Sequence, residues 1–162
     1  MASEPRVVIV TGGSRGLGAG IVRSYLDSGD LVATCARSIT PEVEAWQSDP
    51  ATADRFLWGS ADLAQVADAD AFVKAVVEKW GRVDVLINNA GVARDGIHSQ
   101  FSDDDIDTVV DLNIKGTLYV SRAVSRKMLV KRSGYIVNIS SIVGLSGYRG
   151  LATYSATKAA LD

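Results

Sequence analysis

The segment VVIVTGGSRGLGAG, residues 7–20, sets a continuous apolar run directly against a cluster of glycines. Four consecutive apolar residues, Val7 to Val10, with no polar alternation read as a strand covered on both faces. From Gly16 to Asp27 the apolar positions Leu17, Ile21, Val22 and Leu26 fall at helical intervals, so a helix opens where the strand and its turn end. Gly12, Gly16 and Gly18 occupy that junction in a T-G-x-x-x-G-x-G spacing. This is not the G-x-G-x-x-G fingerprint, but the chemistry is related. Glycines admit positive φ and let backbone N–H groups approach a pyrophosphate, while a helix N-terminus favours negative charge. A tight turn with no ligand is the alternative reading of this segment taken alone.

Similar runs recur at LVATCA (31–36), RFLW (55–58), VDVLIN (83–88) and YIVNIS (135–140). Between them lie segments with helical spacing: 66–80, where Phe72, Val73, Val76 and Val77 share a side, and a long one from about Asp103 to Lys131. Ser102 ahead of three aspartates is a good N-cap with negative charge at the helix start. The stretch 37–55 reads as a helix with its loops. Strand and helix alternate, which predicts an α/β fold of Rossmann type, a doubly wound parallel sheet with helices on both faces.

At 162 residues, with 47% hydrophobic and 22% charged residues, the chain has apolar material for one core. Lys+Arg 17 against Asp+Glu 19 leaves a net charge of −2, so no global field points to nucleic acid or an anionic membrane as partner. No apolar run approaches membrane-spanning length and the start lacks the pattern of a secretory signal, which points to the cytoplasm. The single cysteine, Cys35, has no partner for a disulfide or metal site and reads as a small core residue.

Three further motifs complete a pattern: NNAG (88–91) after the fourth strand, NISS (138–141) after the fifth, and YSATK (154–158). With TGGSRGLG, in this order and spacing, the chain resembles the short-chain dehydrogenase/reductase family from Arg6 to Asp162. NNAGVARDG, LNIKGT and YSATKAAL are similar to the 3-oxoacyl-acyl-carrier-protein reductases within it. Family members usually continue well beyond this point, with two more strands, a substrate lid and much of a subunit interface. The resemblance therefore implies a single NADP-binding domain cut short in the helix after Tyr154.

Tyr154 and Lys158 lie one helical turn apart on one face. A tyrosine with a pKa near ~10 needs a nearby positive charge to work at neutral pH, and Lys158 can supply it. The resemblance implies that Tyr154 protonates a carbonyl oxygen as hydride arrives, that Lys158 also bonds the nicotinamide ribose, and that Ser141 holds the same substrate oxygen. A half-buried aromatic on a helix is the alternative for Tyr154 alone. In the long helix the inward stripe Ile106, Val110, Asn113, Thr117, Val120, Val124 and Met128 contains one asparagine, where an unpaired amide would be costly. The resemblance makes Asn113 the fourth catalytic position, at a distortion of that helix, helping to hold a water that leads from the lysine to solvent. A polar bridge in the core is the alternative.

At the end of the second strand, CARS offers Arg37 and no acid, where folds that prefer NAD usually place Asp or Glu. With Arg15 in the glycine turn, two guanidiniums suit a 2′-phosphate, which favours NADP(H) over NAD(H). Two solvent-facing arginines are the alternative. The resemblance implies that Gly12, Ser14, Arg15, Gly16, Leu17 and Gly18 take part in holding the cofactor. It places Asp62 on the adenine amino group with Leu63 beside it, and Asn89, Ala90 and Gly91 along the adenosine ribose. His98 reads as an exposed loop residue and no metal ligand. Arg126, Lys127, Lys131 and Arg132 end the long helix, where cations suit the dipole; in the resembling reductases a basic residue matching Arg132 helps dock an acidic carrier protein. The expected function is NADPH-dependent reduction of a ketone, a 3-oxoacyl thioester on acyl carrier protein or CoA or a similar small molecule, by a homotetramer. The alternatives are an alcohol, sugar or steroid dehydrogenase of the same fold and a non-catalytic NADP-binding protein.

Overall fold

The computed structural model describes residues 4–162. Five parallel strands form one sheet in the order β3-β2-β1-β4-β5. They are β1 (Val7–Thr11), β2 (Leu31–Ala36), β3 (Phe56–Ser60), β4 (Val85–Asn88) and β5 (Tyr135–Asn138). Helices α1 (Gly16–Asp27), α2 (Pro41–Ser48) and α3 (Val66–Trp80) join the first four strands. After β4 come α4 (Asp103–Val110), a π-turn over Asp111–Gly116 and α5 (Thr117–Lys131), and after β5 two short helices, α6 (Ile142–Ser146) and α7 (Ala152–Ala159). The doubly wound α/β expectation is met. Strand order reverses at β1, which pairs with β2 on one side and β4 on the other, so a crevice opens beyond the carboxyl ends of β1 and β4.

The alternation of β1 explains why its sequence is apolar throughout. Val7 and Ile9 face a core with Phe72, Val73 and Val76 of α3 and Val120 and Val124 of α5. Val8 and Val10 face the other core, with Val22 and Leu26 of α1 and Val43 and Trp46 of α2. Each fully buried Val or Leu contributes roughly 1.5–3 kcal/mol, so the central strand is fixed from both sides. Cys35 lies in the first core as expected, where burial pushes its thiol up to about 12. Three helix starts follow local chemistry: Pro41 opens α2 behind the Thr40 cap, Ser102 and Asp105 form a reciprocal capping box on α4, and Ser141 caps α6.

At the amino ends of the strands, Asp84 accepts hydrogen bonds from the Val7 N–H (2.8 Å), Arg82 Nε (2.9 Å) and Lys131 Nζ (3.4 Å). Burial alone would raise its carboxyl, but these partners outweigh that and hold it below the ordinary carboxylate range.

The long helix departs from the single inward stripe that its spacing predicts. It is interrupted by the π-turn at Asp111–Gly116, and on its amino-terminal side Val109 takes the fully buried place while Ile106 and Val110 are half-buried. The wider π-turn shifts the phase of the helix, so a single 3.6-residue stripe does not run its whole length. Past the turn, Asn113, Thr117, Val120, Val124 and Met128 are buried as expected.

Candidate active site

The glycine junction is built by stitching two strand ends together. Thr11, the last residue of β1, accepts hydrogen bonds at Oγ1 from the Asn89 and Ala90 N–H groups, both 3.0 Å. Asn89 returns the contact, its Nδ2 donating to the Thr11 carbonyl at 2.9 Å and the Gly12 carbonyl at 3.2 Å. Across β2, Thr34 Oγ1 accepts from the Gly13 N–H at 2.9 Å and donates to the Val10 carbonyl at 2.7 Å. The packing leaves no room for side chains: a Cβ on Gly12 would lie 2.9 Å from Ala90 Cα. One on Gly18 would overlap the Gly12 carbonyl oxygen and come within 2.5 Å of Asn89 Nδ2. Gly16 is different, turning the chain at φ +56 with open space around it.

Beyond this junction lies a cleft of about 770 Å³. Of the residues expected to hold a dinucleotide, Gly12, Ser14, Arg15, Leu17, Gly18, Arg37, Asp62, Leu63, Asn89, Ala90 and Gly91 all line it. Gly16 sits in the turn beside it. No side chain caps α1, so the first amides of that helix have no side-chain partner. Arg15 and Arg37 are exposed at the cleft, and among the described residues neither forms an ion pair. Thr40 Oγ1 donates to the Ser14 carbonyl at 2.8 Å and so ties the loop after β2 to the glycine turn. Asp62 Oδ1 accepts from the Ala64 N–H at 3.1 Å, which fixes its carboxylate at the cleft wall. A cleft of this size, with free helix amides and two unpaired guanidiniums, fits a phosphorylated dinucleotide. Asp104, Asp107 and Asp111 add an acidic stretch to the cleft lining, of which the sequence had marked only Asp104, as charge at a helix start.

Next to this cleft, Tyr154 and Lys158 lie on one face of α7. Lys158 is 4% exposed; its ammonium lies 5.7 Å from the Tyr154 ring centre and donates to the Ile139 carbonyl at 2.6 Å. Burial pushes the Lys158 pKa down. Ser141 begins α6 directly after β5; its Oγ accepts from the Val143 N–H at 3.4 Å and has no hydrogen bond to Tyr154. Helices α6 and α7 pack closely enough that a Cβ on Gly144 would meet the Ala159 nitrogen at 2.9 Å. Asn113, 1% exposed, sits in the π-turn as the resemblance implied. Its Oδ1 accepts from the Val92 N–H at 2.8 Å, and its Nδ2 donates to the Val92 carbonyl at 2.9 Å and to Thr157 Oγ1 at 3.0 Å. The costly unpaired amide is avoided. Cleft and lysine meet at Gly91, where a Cβ would lie 3.3 Å from Asn113 Oδ1 and 3.6 Å from Lys158 Nζ.

Sequence reading missed Thr11, Thr34, Thr157 and Asn88, whose Nδ2 donates to Ser121 Oγ at 2.9 Å and Asn138 Oδ1 at 3.0 Å. The usable signal was a polar residue inside or at the end of an apolar run, since a buried hydroxyl or amide needs a partner. His98 is exposed at the start of a short 3-10 turn, His98–Gln100, with Nδ1 3.4 Å from Thr153 Oγ1, and the described residues contain no cluster suited to a metal. Arg126, Lys127, Lys131 and Arg132 are exposed at the end of α5, where Arg132 adopts φ 52.

The short chain dehydrogenase family model matches residues 6–162. A 3-oxoacyl-[acyl-carrier-protein] reductase of Synechocystis sp. is 35% identical over 159 residues, covering 98% of this chain and 64% of the relative. The crystal structure of a short-chain dehydrogenase from Streptomyces avermitilis superposes with a TM-score of 0.91 at 34% identity, covering 99% of this chain and 58% of the other. The structure of ElxO with NADP bound gives 0.88 at 29% identity, covering 97% and 64%. The chain thus spans a little under two thirds of the relatives it matches. A glycine turn stitched to the NNAG loop, a tyrosine and lysine on one face of a short helix, and a family match over nearly the whole sequence agree, and the chain belongs to the short chain dehydrogenase family.

Proposed function

We propose that this protein reduces a ketone, a 3-oxoacyl thioester or a similar carbonyl, to a secondary alcohol at the expense of NADPH. The observation that carries this reading is the meeting of cleft and catalytic helix at Gly91, which puts the Lys158 ammonium beside a dinucleotide-sized groove and over the Tyr154 ring. NADPH, when bound, supplies the hydride. The backbone amides at the head of α1 bind its pyrophosphate, Asp62 its adenine, Asn89, Ala90 and Gly91 its adenosine ribose, and Arg15 and Arg37 its 2′-phosphate. The similarity to ElxO, solved with NADP, supports the choice of cofactor, and the similarity to a 3-oxoacyl-[acyl-carrier-protein] reductase supports the choice of substrate.

In this reading Tyr154 delivers its phenolic proton to the carbonyl oxygen as that oxygen gains charge. Lys158 stabilises the phenolate left behind and bonds the nicotinamide ribose. Burial disfavours its ammonium and pushes its pKa down, while the ammonium donates a hydrogen bond to the Ile139 carbonyl and would be favoured by a phenolate beside it. Ser141 Oγ accepts from the Val143 amide, which leaves its hydrogen to donate to the substrate oxygen, a contact strongest when that oxygen is most negative. Asn113 fixes the loop after β4 against α7 and anchors the path by which the lysine regains its proton. The exposed basic end of α5 offers a docking face to an acidic carrier. The test is NADPH consumption by the full-length protein with acetoacetyl thioesters and simple ketones, followed at 340 nm. Turnover supports the proposal; tight NADPH binding with no consumption on any ketone overturns it in favour of a non-catalytic binding protein.

A further inference from the structure

We propose that Thr157 is a positioning residue for this reaction, the link through which the π-turn at Asn113 sets the rotation of the helix carrying Tyr154 and Lys158. The inference rests on the reading of those two residues given above. Thr157 and Asn113 are each 1% exposed. Both hydrogens of the Asn113 amide are committed, one to the Val92 carbonyl and one to Thr157 Oγ1 at 3.0 Å. The Thr157 hydroxyl passes its own hydrogen to the Tyr154 carbonyl at 2.8 Å. A directed chain therefore runs from the loop after β4, through the π-turn, into the backbone of the proposed proton donor. A threonine that merely bonded back along its own helix would leave its acceptor lone pair idle; here the buried amide uses it.

The helix needs such a link. Eight residues, Ala152–Ala159, are too few to hold a helix in water by themselves, so tertiary contacts set its place. On the β5 side α7 is held by the Lys158 ammonium on the Ile139 carbonyl, by Ser140 Oγ donating to the Lys158 carbonyl at 3.1 Å, and by Gly144 against Ala159. The Thr157 bond is made to a different element, the π-turn. Thr157 stands three residues after Tyr154 and one before Lys158, so a rotation of α7 that carried these two side chains away from the π-turn and Gly91 would break it. Valine at this position keeps the shape, leaves a hydrogen of Asn113 Nδ2 buried without an acceptor and frees the Tyr154 carbonyl.

The experiment compares Thr157→Val with Thr157→Ser in the full-length protein. Misplacement of the donor lowers kcat in Thr157→Val by about 10- to 100-fold while KM for NADPH stays within about twofold, and Thr157→Ser restores kcat. NADPH deuterated at the transferred position gives a larger isotope effect in Thr157→Val, because the chemical step has become slower. Amide hydrogen exchange at Val92 and along α7 accelerates in Thr157→Val and not in Thr157→Ser. Should Thr157→Val not accumulate as folded protein, Thr157→Ala carries the same comparison. Unchanged kcat overturns the proposal, and so does faster exchange with unchanged kcat, since the residue would then serve stability alone. If the unsubstituted protein consumes no NADPH on any ketone, the carbonyl-reductase reading falls instead. Exchange then decides the link: protection at Val92 that is lost in Thr157→Val supports it, and protection that is retained overturns it.

Discussion

Replacing Gly18 by alanine puts a methyl group where the structure has none to spare. Its Cβ would overlap the Gly12 carbonyl oxygen and stand 2.5 Å from Asn89 Nδ2 and 2.9 Å from Gly13 Cα. Two of these neighbours are backbone atoms, so the strain cannot be relieved by a rotamer change. Overpacking of this kind costs about 1–3 kcal/mol. Displacing the Gly12 carbonyl also loosens its 3.2 Å bond from Asn89, worth about 1 kcal/mol, for a total of about 2–4 kcal/mol. Gly20 is the internal control: it lies in the same helix with nothing within 4 Å of a Cβ, and alanine there stabilises by about 0.5–1 kcal/mol. Urea denaturation followed by far-ultraviolet circular dichroism gives both values on the same protein. Fluorescence titration with NADPH adds a second readout, in which Gly18→Ala weakens binding by about tenfold or more because the amides at the head of α1 move with the loop. A Gly18→Ala protein as stable as its parent and binding NADPH equally well refutes the close approach of the glycine turn to the NNAG loop.

Other consequences can be measured in parallel. Asp84 has a lowered pKa, so its contribution to stability is complete above the ordinary carboxylate range and is lost as pH falls through its lower folded value. Asp84→Asn removes that contribution, and the decline in urea midpoint below about pH 4 becomes shallower than in the parent; identical acid limbs would contradict the assignment. Arg37→Asp removes a phosphate partner and adds repulsion, raising KM for NADPH by about 10- to 100-fold while NADH is affected far less. An unchanged ratio of the two cofactors counts against Arg37 as the 2′-phosphate contact.

The fold was legible where one residue type serves one period. Val7–Val10 read as a strand covered on both faces and is one, and the glycines read as a tight turn open to a pyrophosphate; that Gly12 and Gly18 also pack too closely for a side chain against their neighbours is seen only in the fold. The candidate site was legible as motifs, which is why Tyr154, Lys158, Asn113 and the cleft residues were named from the sequence. What escaped was geometry with no local signature. The π-turn contains no proline and follows no change of composition, so the spacing of apolar residues gave no sign of it. Only the resemblance, which put Asn113 at a distortion of the helix, pointed there, and burial shifts from Val110 to Val109 beside it. Thr157 looked like a spacer within YSATK because its partners, Asn113 and the Tyr154 carbonyl, are supplied by the tertiary fold. The five-residue α6 was too short to show a period at all.

In the proposed reaction Tyr154 donates the proton to a ketone oxygen. The direct measurement is Tyr154→Phe in the full-length protein, with NADPH affinity from fluorescence and turnover from absorbance at 340 nm on an acetoacetyl thioester. Removing one hydroxyl leaves the glycine turn, the cleft and Lys158 in place, so NADPH affinity is expected within about twofold of the parent and turnover lower by about 100-fold or more. Turnover equal to the parent's contradicts it.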